Sequence, residues 1–206
     1  GEMMPVTYWT AQMALDYCNP KLVVIDMFTV FDNLGVLENE NNSSHDSWDC
    51  FPLSANKVKA VMDLVPGFMY KSEYLFGFGK YHSRWNDLTQ KDFELSPSRS
   101  KGLWAYGSDI DLHKLSVVPF DDYERTDEIM TISQDVMGMV YVKRLIEDLK
   151  SRGIDVLLVA LPLYMDGYQM GFNALESLAE EYDVNYINFV NLNTVTDCTT
   201  DMIDKD

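Results

Sequence analysis

The run of branched apolar residues from Leu22 to Ile25 constrains this chain more than any other stretch of its sequence. It follows Pro20, and proline does not fit inside a helix or a central strand. A continuous apolar run rich in β-branched residues predicts a strand that is buried on both faces. Strands of that kind belong to parallel sheets covered by helices. The stretch from Pro20 to Phe28 therefore predicts an α/β fold.

Two later runs predict further strands of the same sheet. They are Asp155 to Pro162 and the weaker run Asn185 to Val190. A helix is predicted ahead of each of the three strands, at Thr7–Tyr17, Thr131–Arg152 and Gln169–Tyr182. Strands joined through a helical crossover are parallel neighbours. We therefore expect a three-layer α/β/α sandwich around a central parallel sheet, of the flavodoxin-like kind.

The middle of the chain predicts a cap-like insertion within a single domain that spans residues 1–206. Residues 38–125 are too many for a plain connection between a strand and a helix. Ser54 can cap a helix that runs to about Val65, and its spacing favours a buried face of Val58, Val61, Met62 and Val65. The stretch 68–107 is dense in aromatic residues, which indicates short helices that shape a cleft.

The charge balance excludes some classes of partner. The chain has 16 basic and 33 acidic residues, a net charge of −17. Such a surface repels a phosphate backbone and an anionic membrane, so we expect neither nucleic acid nor membrane contact. An acidic, soluble surface without specific meaning explains the charge best, and a carbohydrate or another uncharged substrate fits it too. No apolar run approaches the roughly 20 residues of a membrane helix, and the first residues show no signal peptide.

Cysteine and histidine patterns predict neither a metal site nor a cofactor. The three cysteines are Cys18, Cys50 and Cys198, and none forms a Cys-x-x-Cys pair. His45 lies in a polar loop with Asp46, but the spacing matches no strong zinc template. The sequence also lacks a P-loop, a Gly-x-Gly-x-x-Gly fingerprint, a His-Glu-x-x-His motif and a Gly-x-Ser-x-Gly elbow. It specifies no oligomeric state.

Two polar stretches are candidates for function. The last ten residues carry four aspartates, Asp197, Asp201, Asp204 and Asp206, which fit either a solvated acidic tail or a site beyond a parallel strand. The second stretch holds Tyr81, His82, Arg84 and Trp85. These side chains suit a sugar ring, by stacking and hydrogen bonding, as well as they suit a buried anchor for the cap.

The order of segments resembles the SGNH (GDSL-type) hydrolase-like family, especially members related to bacterial polysaccharide O-acetyltransferases. The segments that carry the resemblance are Gly1-Glu2 with Tyr8-Trp9, Asn19 to Asp26, Pro52-Leu53-Ser54, Lys80 to Leu88 with Asp92-Phe93, Leu158 to Pro162, and Asp201 to Asp204. The resemblance spans nearly the whole chain, and the order is more specific than any single motif. It implies an SGNH-like fold and an extracytoplasmic location.

The resemblance also implies catalytic roles. Asp204 stands where the family has the Asp of its Asp-x-x-His block, and the His would fall one residue past Asp206. Gly1 matches the oxyanion Gly, and Asn33 is an offset match to the oxyanion Asn. The Ser block would precede Gly1, so this chain resembles a domain cut at both ends. We expect the parent to act on acyl esters of a cell-envelope glycan and these 206 residues to lack triad activity. The alternative is a non-catalytic glycan- or protein-binding module on the same scaffold.

Overall fold

Helices and strands alternate along the described part of the chain. The computed structural model describes residues 3–31, 48–49, 51–76, 126–161 and 168–191. In chain order the elements are α1 (Met4–Ala14), β1 (Leu22–Asp26), a 3-10 helix (Phe28–Phe31), α2 (Ala55–Leu64), α3 (Phe68–Leu75), α4 (Met137–Ser151), β2 (Asp155–Ala160), α5 (Tyr168–Tyr182) and β3 (Asn185–Asn188). The insertion predicted at 38–125 lies largely outside these residues.

The three strands form one parallel sheet in the order β1-β2-β3. Ile25 of β1 pairs with Leu158 of β2, and Leu158 pairs with Tyr186 of β3. The predicted strands and their parallel pairing are thereby confirmed. All three strands end at the same edge of the sheet, because parallel strands point in one direction.

The helices pack on the face of the sheet that carries Ile25 and Leu158. Both side chains are buried in the apolar core. Tyr186 shares this face, and its hydroxyl donates to the carbonyl oxygen of Phe172 in α5 at 2.8 Å. The described structure is therefore a mixed helix and strand fold with a small parallel sheet, compatible with the α/β prediction. The three-layer sandwich stays a prediction.

The opposite face of β1 differs from the sequence expectation. Leu22 is 49% exposed and Val24 is 55% exposed. The prediction that this strand is buried on both faces is therefore wrong for β1. The apolar run predicted the strand correctly, but it does not determine whether other elements cover both faces of that strand.

Helix α1 begins and ends earlier than predicted. Pro5 occupies its first turn, where a missing N–H is tolerated. Trp9 and Met13 are buried, as the periodicity predicted. After Ala14 the chain turns, with the amide of Cys18 bonded to the Ala14 carbonyl at 3.1 Å. The turn then leads directly into β1.

Helix α4 is shorter at its start than the predicted helix from Thr131. The amide of Met130 bonds to the carbonyl of Met170 at 3.1 Å, which ties the preceding segment to α5. Val136 has extended backbone angles and precedes the first helical residue. At the other end Gly153 adopts a φ of 71°, the left-handed conformation expected of a residue that ends a helix.

Helix α2 has the predicted cap and part of the predicted buried face, because Val61 and Val65 are buried. The Ser54 hydroxyl accepts a hydrogen bond from the Lys57 amide at 3.2 Å. Val58 and Met62 are exposed, contrary to the prediction, while Lys57 is buried. The Lys57 ammonium donates to the carbonyl oxygens of Trp48 and Phe51, both at 2.8 Å. These bonds compensate for burying a charge, which a hydrophobic pattern does not anticipate.

The 3-10 helix approaches α4 closely at Gly138. A Cβ atom built on Gly138 would lie 2.1 Å from the carbonyl oxygen of Val30 and 2.8 Å from that of Thr29. Only glycine therefore allows α4 and the segment after β1 to pack at this distance. The contact positions the carboxyl end of β1 against the helix layer.

A polar junction joins α1, α2 and α4. The Asp148 carboxylate accepts hydrogen bonds from the Tyr8 hydroxyl at 2.7 Å and the Gln12 amide at 3.0 Å. The Asp63 carboxylate of α2 accepts from the Trp9 indole and the Tyr141 hydroxyl, both at 2.7 Å. Each carboxylate therefore joins a residue of α1 to another helix.

Arg144 supplies the positive charge of this junction. Its guanidinium lies 4.5 Å from the ring centroid of Tyr8 and 5.5 Å from that of Trp9. Stacking of a cation on aromatic faces contributes about 0.5–1 kcal/mol per pair at exposed sites. Burial raises the pKa of Tyr8 to about 12, and the hydrogen bond to Asp148 acts in the same direction.

We expect Gly138→Ala to lower the free energy of unfolding by about 3 kcal/mol or more, because the new methyl group must push two backbone segments apart. Urea denaturation monitored by circular dichroism measures the change. Val140→Ala on the exposed side of the same helix is the matched control and should cost less than about 1 kcal/mol. Equal stability of Gly138→Ala and wild type would contradict the close approach.

We expect Tyr8→Phe to cost about 2 kcal/mol at neutral pH, because Asp148 loses a donor. A tyrosine whose pKa is raised on folding stabilises the fold below its unfolded pKa of about 10 and loses this contribution as pH rises to 12. The difference between wild type and Tyr8→Phe should therefore narrow between pH 10 and pH 12. Urea denaturation across that range tests it, with exposed Tyr17→Phe as the control. A stability difference between wild type and Tyr8→Phe that stays constant from pH 10 to pH 12 would contradict the raised pKa of Tyr8.

Candidate functional site

The carboxyl edge of the sheet is the part of the described structure where a site is expected. Ligands in open α/β sheets bind outside the carboxyl ends of the strands. Asp26 is the last residue of β1, and Asn188 is the last residue of β3. Both polar residues therefore lie at the same edge of the sheet.

Asp26 is an exposed residue at this edge, although its carboxyl group is partly shielded from solvent. One of its oxygens accepts a hydrogen bond from the amide of Phe28 at 3.2 Å. Burial raises the pKa of Asp26, and the bonds from the Phe28 and Met27 amides oppose the rise. A carboxyl group with a raised pKa beside a groove is a candidate for proton transfer or for binding a polar group.

A groove of about 390 Å³ runs between α1 and β1 and ends at Asp26. Its walls are mostly apolar, and threonine hydroxyls provide the other polar groups. The lining residues include Thr7, Thr10, Ala11 and Ala14 of α1, Val23 to Asp26 of β1, Phe28, Thr29, and Leu145 of α4. The small side chains of α1 leave the space open.

A second cavity, of about 380 Å³, lies beside β3 and is more polar. Asn173 organises it. Its amide nitrogen donates to the carbonyl oxygens of Thr126 and Glu128, at 2.8 and 3.0 Å. Its amide oxygen accepts from the side chains of Asn188 at 3.2 Å and Asn191 at 3.0 Å. These bonds hold the segment before α4 against α5 and β3.

The carboxylates of Asp127 and Glu176 also line this polar cavity. Within the part of the chain that the structure describes, neither forms a hydrogen bond or an ion pair. Carboxylates in this position can accept hydrogen bonds from the hydroxyl groups of a ligand. Tyr186 borders the same cavity, and burial together with the Glu176 charge raises its pKa.

Aromatic side chains pack together between β1 and α5. The Tyr168 ring lies 5.7 Å from each of the Phe28 and Phe31 rings and 5.9 Å from that of Phe172, measured between centroids. Such pairs contribute about 0.5–1.5 kcal/mol beyond their buried area. The cluster therefore fixes the start of α5 beside the carboxyl end of β1.

The described residues contain neither a metal-binding cluster nor a membrane-spanning helix. No group of three or more His, Cys, Asp or Glu side chains there could hold a metal ion. No described helix is long and apolar enough to cross a membrane.

Every site residue predicted from the sequence lies outside the described residues. This holds for the proposed catalytic positions Gly1, Asn33 and Asp204. It also holds for the proposed sugar-binding positions Tyr81, His82, Arg84 and Trp85, and for His45 and the aspartates from Asp197 onward. The structure therefore neither brings these residues together nor separates them, and their roles stay predictions.

The carboxyl-edge groups were missed by the sequence analysis. Asp26 is the first polar residue after the predicted strand, a position that itself signals a site in α/β folds. Asn191 follows the predicted third strand in the same way, whereas Asn188 lies inside it. Asn173 gave no such signal, because its partners come from segments distant in the chain.

Comparisons with known proteins provide no relative. No family model, no curated protein and no solved structure matches the chain.

We expect Asp26→Asn to stabilise the fold at pH 7. A carboxyl group whose pKa rises on folding binds its proton more tightly in the folded state, so its ionised form destabilises the fold. The gain should disappear below the unfolded pKa of about 4, where Asp26 is protonated in both states. Urea denaturation at pH 7 and at about pH 3 measures it, with exposed Asp155→Asn as the control. A loss of stability at pH 7 would contradict the assignment.

Proposed function

We propose that this chain is part of an SGNH-like domain whose intact parent is an acyl-ester hydrolase or O-acetyltransferase acting on a cell-envelope glycan. The observation that carries the proposal is the parallel sheet. β1 lies within the segment Asn19 to Asp26 and β2 overlaps the segment Leu158 to Pro162, two of the segments that carry the resemblance, and the carboxyl ends of the parallel strands share one edge. The stretch with Asp204 follows β3 in the sequence.

The proposed chemistry is acyl transfer through a covalent intermediate. A Ser of the parent attacks the acyl carbonyl while a His takes its proton, and the alcohol departs with that proton. Water or a glycan hydroxyl then attacks the acyl-enzyme and releases the Ser. Asp204 would orient the His, and Gly1, with Asn33 as the weaker candidate, would donate to the oxyanion. Hydrolase and transferase differ only in the acceptor.

A neutral acetylated glycan fits the charges of the chain. The net charge of −17 disfavours a polyanionic substrate. Tyr81 and Trp85 would stack on sugar rings, and His82 and Arg84 would donate hydrogen bonds to hydroxyl or acetyl oxygens. An extracytoplasmic location accompanies this proposal, because the resemblance implies it.

A non-catalytic binding module is the second candidate. The polar cavity beside β3 favours it, because its carboxylates of Asp127 and Glu176 are available to hydroxyl groups independently of any triad. To discriminate the two functions, the affinities for acetylated and deacetylated glycan are compared, first in the wild type and then in Trp85→Ala. Loss of binding with an intact fold, in a parent without esterase activity, would favour the module.

We expect Asp204→Asn in the intact parent to reduce kcat for an acetyl ester by about 1,000-fold or more, because the triad His loses its orienting carboxylate. Initial-rate measurements with 4-nitrophenyl acetate and an acetylated glycan provide the test. Asp206→Asn, two residues along, is the matched control. The isolated 206-residue chain should show no enzyme-like rate. Turnover by that chain, or full activity of Asp204→Asn, would refute the proposed triad.

A further inference from the structure

The two sides of β1 are in different hydrogen-bonding situations. On one side the amide of Asp155 bonds to the Lys21 carbonyl at 3.0 Å, and the amide of Met27 bonds to the Val159 carbonyl at 2.9 Å. Backbone groups of successive residues in a strand point to alternate sides. The odd-numbered residues of β1 therefore face β2, and the backbone groups of Leu22, Val24 and Asp26 point to the other side.

That other side is the groove beside α1. Among the described residues no strand pairs with β1 there. One wall of the groove is the edge of β1 with its backbone donors and acceptors, and the other walls combine apolar side chains with Thr7, Thr10 and Thr29. The exposed side chains of Leu22 and Val24 continue the apolar surface onto the outer face of the sheet.

The chemistry of this groove selects an extended polypeptide as its occupant. A purely apolar ligand would cover the backbone N–H and C=O groups of Val24 without bonding them, which costs about 1–3 kcal/mol for each group. An added strand bonds these groups and buries the apolar side chains at the same time. A second copy of this chain is disfavoured, because each copy carries a net charge of −17.

The handedness of the connections indicates where such a strand originates. The steps from β1 through α4 to β2, and from β2 through α5 to β3, proceed in one direction across the sheet. Right-handed crossovers in one direction place their helices on one face. Helix α1 packs against α4 and therefore belongs to the same face. A strand that precedes α1 must then lie on the free side of β1.

The position where the chain enters α1 agrees with this origin. A short turn joins α1 to β1, so α1 runs antiparallel to β1 and its first residue, Met4, lies at the carboxyl edge. A parallel strand before α1 would end at that same edge. Met3 packs against the core and Met4 is fully buried, so the entry point is held in place.

We infer that the free edge of β1 binds a parallel strand supplied by the polypeptide that leads into α1 in the intact protein. The groove is then a strand-binding surface. The inference rests on the sheet geometry and is independent of the proposed acyl chemistry.

Residue-resolved amide hydrogen exchange tests the inference. The 206-residue chain is compared with the polypeptide expressed from the complete reading frame. In the shorter chain the amides of Val24 and Asp26 should exchange rapidly. In the complete protein they should exchange about 100-fold more slowly or slower still, because they become bonded in the ladder. The amides of Val23 and Ile25, which face β2, are the internal control and should be slow in both.

Three other outcomes would each overturn the inference. Rapid exchange of Val24 and Asp26 in the complete protein would show that no strand binds there. Slow exchange already in the 206-residue chain would show that residues of this chain fill the edge. A reading frame with an initiator methionine directly before Gly1 would also overturn it.

A substitution at Val24 provides a second measurement. Val24→Pro removes an N–H on the free side only, and proline is tolerated on edge strands. In the complete protein, Val24→Pro should abolish the protection of the Asp26 amide from exchange and lower the Tm of the protein. In the shorter chain it should leave the Tm unchanged. Val24→Thr retains the N–H and the branched shape, so it should retain the protection. Equal effects of Val24→Pro in both proteins would contradict a bound strand.

Discussion

The parallel pairing of β1 with β2 is the interaction on which the rest of the structure depends. It joins a strand near the start of the chain to one in its second half, with Leu22 paired to Asp155 and Asp26 to Val159. The pairing brings α1, α4 and the polar edge groups together. Long-range parallel pairing requires a covered face, and here α4 and α5 supply that cover on one side.

The helix layer is held by polar contacts as well as by the apolar core. Asp63 and Asp148 each receive two donors from aromatic or amide side chains, and Arg144 stacks on the aromatic rings. The junction depends on geometry, because losing one donor leaves its carboxylate with a single side-chain hydrogen bond. Gly138 adds a steric condition, since α4 fits against the 3-10 helix only without a side chain there.

The sheet delivers its polar residues to one edge and leaves one strand with an open side. Asp26 stands between these two features, at the end of the groove and at the carboxyl edge. A strand bound beside β1 would place its own carboxyl end next to Asp26. A strand bound beside β1 and a site at the carboxyl edge are therefore compatible. The strand would lie along the groove, and the site would lie at its end.

The three strands and the cap at Ser54 were predictable from the sequence because strand-forming runs and capping residues are local patterns, and the parallel pairing followed from the helices predicted between the strands. The sequence located the buried side of α2 only in part: Val61 and Val65 are buried as expected, but Val58 and Met62 are exposed and Lys57 is buried. It also missed Asn173, and the open face at Leu22 and Val24. These features required the folded structure, because each depends on which distant segments supply carbonyl groups, amide partners or a covering layer.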